Sequence, residues 1–315
     1  MIVTIDTSAG FCWGVVRTIE IAEQELNKDR ELYSLGDIIH NPLEVERLRS
    51  LGLKPLPAGR IDEAPEGSKV LIRAHGEPPA TYREAAKRNI ELVDATCPVV
   101  TKLQERIRRF HDQGFQVVIF GKKDHAEVIG LRGVTGDTCI VIRTVEEAEK
   151  LVDVSRKTVL FSQTTMDKPT FYAIKASLEK KIEHLVVGSM EEMAVEFHAK
   201  DTICGQVSGR EKKLRAFAAA NDVVVFVAGR NSSNGKVLFG ICRDANPRSH
   251  FIETIRDIDR EWFDGAETVG VSGATSTPQW LMEAVRRAIE DIDLRADNDT
   301  ARTELPSPTF TNVSH

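Results

Sequence analysis

Short runs of β-branched and aliphatic residues alternate along the chain with longer amphipathic segments. The runs Ile2–Ile5, Lys69–Ile72, Gln116–Phe120, Cys139–Ile142, Thr158–Phe161, Val223–Val227 and Thr268–Val271 predict strands. Most are apolar throughout rather than alternating, the pattern of strands covered on both faces of a parallel sheet. Helical spacing predicts helices over Val15–Leu26, Leu43–Leu51, Ala80–Arg88, Val99–Asp112, Lys168–Lys181, Glu211–Ala219 and Pro278–Asp291. Such alternation means an α/β architecture. From Asp293 to His315 the periodicity gives out and Asp, Asn, Thr, Ser and Pro accumulate, which predicts a poorly ordered C-terminal tail.

A loose repeat runs through this pattern. Cys12, Cys97 and Cys204 each close a short strand-like or turn stretch, and each is followed within a few residues by a helix pattern. They lie about one small α/β unit apart. Three similar units are therefore expected, each presenting a thiol where a strand passes into a helix, the functional edge of an open α/β sheet. The units are assigned to 13–97, 98–200 and 201–292, the last together with the N-terminal strand in 1–12, leaving 293–315 as the tail. Cys139, read as a strand interior, and Cys242, read on a helix, look like core positions, as free cysteine usually is.

Composition narrows the function classes. The 315 residues carry 42 basic and 48 acidic side chains, a formal net charge of −6, and 41% apolar residues. That excludes disorder over most of the chain and argues against a general nucleic-acid binder, though not against a local pocket for a small anion. The longest apolar run, Val223–Ala228, is far short of the about 20 residues a membrane span takes. The opening segment Met1–Ser8 has no basic n-region, so no secretory signal is expected. Five cysteines, few and odd in number, speak against a disulfide scaffold and for a reducing cytoplasm.

Within Asp94-Ala95-Thr96-Cys97-Pro98, Pro98 suits a first helical position and makes Cys97 an N-cap, where the helix dipole favours the thiolate. A phosphatase-type nucleophile wants an arginine six residues on, but position 103 is leucine, and Arg17 follows Cys12 at five. A papain-type cysteine wants one paired histidine, and nothing selects one. A metal ligand wants partners, which the other two thiols supply. Their wide separation is unlike a zinc ribbon or the close-set cysteines of ferredoxins. Three cysteines can hold a cubane iron–sulfur cluster with one iron left open as a Lewis acid; spacing alone leaves these readings open.

Six strand-to-helix turns add polar groups: those holding His40-Asn41, His75-Gly76, His125-Ala126-Glu127, Gln163-Thr164-Thr165, Ser232-Ser233-Asn234 and Ser276-Thr277. Such turns present backbone N–H groups that suit phosphate, although Asn41, Ser276 and Thr277 are also ordinary caps. Glu127 is either a first-turn acid facing the dipole or a proton donor held in a pocket.

Taken in order, Gly10-Phe11-Cys12, Ser34 to Asn41, Ala74-His75-Gly76, Asp94 to Pro98, His125 to Gly130, Gln163-Thr164-Thr165, Thr202-Ile203-Cys204 and Ser232-Ser233-Asn234 resemble the 4-hydroxy-3-methylbut-2-enyl diphosphate reductase family from residue 1 to about 290. The resemblance implies three α/β units in a trefoil around a central iron–sulfur cluster. It further implies reductive removal of an allylic hydroxyl at the last step of the non-mevalonate route to isopentenyl and dimethylallyl diphosphate. By it, Cys12, Cys97 and Cys204 hold one [4Fe-4S] cluster per chain. His40, His75, His125, Ser232, Ser233, Asn234 and Ser276 bind the diphosphate. Glu127 supplies the proton, with Thr164 near the substrate hydroxyl as relay. The implied partners are the small allylic diphosphate and an electron donor such as ferredoxin or flavodoxin, with no nucleic acid or membrane, in a cytoplasmic monomer or weak dimer. The chain departs from the common pattern at Trp13, at Lys122-Lys123-Asp124 ahead of His125, and at Gly205 to Arg210. Two rival classes are a cluster-bearing sensor without catalysis and a cluster-free α/β phosphate-binding protein or cysteine hydrolase.

Overall fold

A computed structural model describes residues 1–188 and 195–303. The chain opens with β1 (Ile2–Ile5) and α1 (Trp13–Asp29). It continues through β2 (Leu32–Leu35), α2 (Pro42–Ser50), β3 (Leu53–Leu56), β4 (Lys69–Ile72), α3 (Pro79–Lys87) and β5 (Glu91–Asp94). After α4 (Pro98–Asp112) come β6 (Gln116–Phe120), α5 (Ala126–Val134), β7 (Ile140–Ile142), α6 (Val145–Leu151), β8 (Thr158–Ser162), α7 (Lys168–Gly188) and β9 (Phe197–Lys200). The last part holds α8 (Gly205–Ser208), α9 (Arg210–Ala219), β10 (Val223–Val227), α10 (Ser233–Ala245), β11 (Ser249–Ile252), β12 (Thr268–Gly273) and α11 (Gln279–Thr303).

The strands form three four-stranded sheets, β3-β2-β4-β5, β7-β6-β8-β9 and β11-β10-β12-β1. Every pairing in them is parallel. The order is the same in each sheet, with β1, from the start of the chain, filling in the third sheet the place that β5 and β9 fill in the others. The repeat glimpsed in the cysteines is thus a repeat of topology. In each sheet the winding changes direction between the two central strands, β2 and β4, β6 and β8, β10 and β12. Those are the switch points where open α/β sheets bind ligands, at the C-terminal strand ends.

Burial explains which strands are legible. β6, β8 and β10 are buried at every position, as expected for central strands covered by helices on both faces. In the second sheet Val118, Phe120 and Leu160 pack on Ile174 and Leu178 of α7. Val117, Ile119 and Phe161 pack on Ile107 and Phe110 of α4 and Leu131 of α5 on the other face. Of the five strands outside the predicted set, β3, β5, β9 and β11 lie at sheet edges, while β2 is central and largely buried but only four residues long, with polar Tyr33 and Ser34 breaking its apolar run. β5 and β9 have no fully buried position, so their sequences need no continuous apolar run.

Three expectations are corrected. β7 starts at Ile140, so Cys139 precedes the strand and is half-buried rather than a strand interior. No range was predicted for α5, α6 or α10, although the strand-to-helix turns at His125 and Ser232 and the helical reading of Cys242 imply the first and last: α5 and α10 contain glycines that weaken the helical pattern, and α6 is only seven residues long. The last helix runs past Asp291 to Thr303, since no proline or glycine interrupts it; the expected tail from 304 onward lies outside the described residues. Among the described residues, no helix is long and apolar enough to cross a membrane.

Candidate active site

The six turns that leave the central strands, and the three that leave β1, β5 and β9, open on one cavity of about 120 Å³. The parallel sheets dictate this: all C-terminal strand ends of a sheet lie on one side, and the three sheets turn that side inward. Each of the twelve site residues proposed from the sequence lines this cavity. Close approach of the units is needed. Gly229, just beyond β10, lies so near the His40 carbonyl that any side chain there would collide with it.

The thiols come from the fourth strand position of each unit. Cys12, Cys97 and Cys204 are the N-cap residues of α1, α4 and α8, each in an extended conformation. The side chains of Cys12 and Cys97 do not cap their helices. A Cβ placed on Gly14 would lie 2.8 Å from Cys97 Sγ and 4.0 Å from Cys12 Sγ, so Gly14 stands between two sulfurs that share one small space. Burial pushes the Cys12 thiol up, and the proximity of Cys204 and Cys97 pushes it further, against hydrogen bonds from the Val15 and Gly14 backbone. No disulfide joins any of the five cysteines. Three clustered thiolates repel one another in a half-buried site, and a cationic metal centre removes that repulsion. The donor set therefore fits a thiolate-ligated metal group.

Beside the thiols stand three imidazoles. The ring centroids of His40 and His75 are 4.9 Å apart, those of His40 and His125 5.5 Å, and those of His75 and His125 5.4 Å. Burial and the positive charge of Arg73 hold all three below the usual imidazole range: His125 falls to about 3 and His75 lies well below. All three are therefore neutral at pH 7 in the unliganded protein. His125 Nδ1 accepts the Glu127 backbone N–H at 3.2 Å, which leaves its proton on Nε2, a donor for a ligand.

The third unit supplies hydroxyls and an amide. Ser232 Oγ caps α10 by accepting the Gly235 N–H at 3.0 Å, and Ser276 Oγ lies 3.3 Å from Ser232 Oγ. Asn234 Oδ1 accepts both the N–H and the hydroxyl of Thr275, at 2.9 and 2.7 Å. That fixes the amide with its Nδ2 unpartnered, and His40 Nε2 and His75 Nδ1 are likewise buried without a partner. Unsatisfied buried polar atoms converging on one cavity mark a ligand site. Three imidazoles whose nitrogens lie within 4.8 Å of one another can hold a cation. Here the adjoining hydroxyl and amide donors, and the buried Arg73 guanidinium behind them, favour an oxyanion.

Glu127, 2% exposed, sits at the start of α5. Its Oε1 accepts the Thr164 N–H at 2.8 Å, and its Oε2 lies 2.7 Å from Thr164 Oγ1. Burial pushes the carboxyl up to about 7, more than these two bonds pull it down. It is thus poised to hold or release a proton near neutral pH.

Sequence reasoning missed the residues that hold this set in place. Arg73 follows β4 directly, is 6% exposed, pairs with the equally buried Glu77 at 3.6 Å and reaches the Asp37 carbonyl at 3.3 Å. A charged residue in a turn reads as solvated unless its burial is known. Thr275, which orients Asn234, directly precedes the recognised Ser276-Thr277 pair but looked like a spacer.

A family model described as "LytB protein" matches residues 3–290. A 4-hydroxy-3-methylbut-2-enyl diphosphate reductase of Chloroherpeton thalassium is 50% identical over 305 residues, covering 92% of this chain and 96% of that protein. One of Chlorobaculum parvum is 49% identical over 313 residues, covering 90% and 94%. A solved structure titled as (E)-4-hydroxy-3-methyl-but-2-enyl diphosphate reductase, the terminal enzyme of the non-mevalonate pathway, superposes with a TM-score of 0.68 at 33% identity. It spans 92% of this chain and all of that one. The reductase of Plasmodium falciparum superposes with a TM-score of 0.79 at 24% identity over 93% of this chain and 87% of that one, a likeness of fold.

Proposed function

Because the chain belongs to the LytB family of 4-hydroxy-3-methylbut-2-enyl diphosphate reductases, we propose that its cavity carries out the reductive dehydroxylation of that allylic diphosphate on an iron–sulfur centre held by Cys12, Cys97 and Cys204. The observation that carries the reading is the meeting of three N-terminal helix thiols, a neutral His and hydroxyl cluster and a buried, proton-bearing Glu127 in one cavity. The centre we infer is one [4Fe-4S] cluster per chain. When bound, it supplies electrons and an open iron that acts as a Lewis acid on the hydroxyl.

The protein's own groups do the rest. His40, His75 and His125 as neutral imidazoles, with Ser232, Ser233, Asn234 and Ser276, orient the diphosphate through hydrogen bonds and fix the allylic end toward the thiols. The Thr164 hydroxyl donates to the ionised Glu127 at Oε2; when Glu127 is protonated the bond reverses, Oε2–H donating to Thr164 Oγ1 and freeing the Thr164 hydroxyl to donate into the cavity. The net change takes up an electron pair and protons, breaks the allylic C–O bond and releases water. Trp13 and Val99, exposed beside Cys12 and Cys97, support docking of a small electron carrier of the ferredoxin or flavodoxin kind at that end.

The test is anaerobic turnover of the allylic diphosphate with a chemical reductant, with isopentenyl and dimethylallyl diphosphate followed as products; their absence from fully loaded protein would end the reading. The same assay carries a pH prediction. Glu127 keeps its proton below about pH 7 and loses it above, so turnover should fall as pH rises through neutrality. A profile that rises across that range would assign the proton to another group.

A further inference from the structure

The walls of the cavity offer many donors but little free charge. The three imidazoles are neutral, the hydroxyls and Asn234 are uncharged, and the buried Arg73 is paired with Glu77. A diphosphate is a polyanion, and Lys122 reaches the wall of the cavity from behind at Ser233. Lys122 follows β6 in the same turn as His125. Its backbone N–H is pinned to Gln163 Oε1 at 3.0 Å, and its Nζ donates to Ser233 Oγ at 2.8 Å. Ser233 is itself a buried cavity residue at the first position of α10. Lys122 is half-buried, and the charges that act on it, Lys236 on the first turn of α10 and Arg143 just past β7, are also positive. Among the described residues, no carboxylate forms an ion pair with any of the three side chains. An ammonium group held in place by a serine, desolvated and left without a counter-ion, is a built anion site.

We propose that Lys122 is a diphosphate-binding residue of the cavity, donating to the phosphate beside Ser233, with Lys236 and Arg143 forming a cationic approach to it. The proposal deepens the reading given above and depends on it for the identity of the substrate. Lys122 supplies the charge that the neutral donors lack, while the imidazoles and hydroxyls set orientation.

The experiment compares wild-type protein with Lys122→Met and Lys122→Arg after anaerobic reconstitution. It measures KM and kcat for the allylic diphosphate and, by calorimetry, the Kd for inorganic pyrophosphate. Lys122→Met should raise both KM and the pyrophosphate Kd about tenfold, the size of a lost charge-assisted hydrogen bond, with kcat moving less. Lys122→Arg should restore both to within about threefold, since it keeps the charge. Unchanged KM and pyrophosphate Kd in Lys122→Met overturn the proposal, as does a loss confined to kcat, which would mean that Lys122 only positions Ser233. Wild-type protein that binds pyrophosphate yet never reduces the allylic substrate would instead refute the assigned reaction, and the pyrophosphate comparison would still decide Lys122.

Discussion

Replacing Glu127 with glutamine is expected to cut turnover by roughly two to four orders of magnitude, the usual worth of a positioned general acid, while leaving fold and metal content intact. Both carboxylate oxygens are engaged by Thr164, at 2.8 and 2.7 Å. A glutamine reproduces the protonated acid: its carbonyl accepts the Thr164 N–H, and its amide donates to Thr164 Oγ1. Geometry and packing are kept, and only the transferable proton is lost. Stability supplies an internal control. The buried carboxyl has its pKa raised from 4.5 to about 7, so the native state holds the proton that the unfolded chain releases in between. That contribution is complete below about 4.5 and is lost as pH rises through 7. The glutamine variant lacks this dependence, so its melting temperature should equal or exceed the wild type's above pH 7. Turnover within a few fold of wild type would remove Glu127 from the chemistry. A cluster protein that senses rather than converts would show no loss at all.

Cys97→Ala should abolish both iron–sulfur loading and turnover. Cys97 sits at the start of α4 with its sulfur beside that of Cys12 across Gly14. Its side chain does not cap the helix, so alanine removes no capping bond. Removing a thiolate from a three-thiolate set leaves too few ligands for a cubane. The matched control is Cys139→Ala, a half-buried thiol that does not line the cavity, which should load and turn over normally. Iron and sulfide analysis with visible absorption after anaerobic reconstitution reads both variants. A Cys97→Ala protein that keeps its colour and activity would place the metal group elsewhere.

How far the sequence carries this account depends on what each residue has to say locally. Central strands such as Val223–Val227 declare themselves because burial on both faces demands an unbroken apolar run. Edge strands such as Glu91–Asp94 do not, because neighbours cover only part of them. The three thiols and six turns were legible because strand-to-helix junctions in α/β chains carry ligands and caps, and the parallel sheets bring all of them to one side. Their convergence on a single cavity was beyond local pattern, since it depends on how three sheets face one another. Arg73, Lys122 and Thr275 escaped for the same reason. Arginine or lysine in a turn looks solvated, and a threonine between recognised residues looks like a spacer, until tertiary packing buries the first, draws the second onto Ser233 and turns the third onto Asn234.

The measurement that bears most directly on the three-thiol centre is anaerobic reconstitution of the wild-type chain with iron and sulfide, followed by metal analysis and Mössbauer spectroscopy. About four iron and four sulfide per chain are expected, with one iron distinct from the three bound by cysteine. Protein that stays colourless and takes up no stoichiometric iron or sulfide would contradict the account at its root.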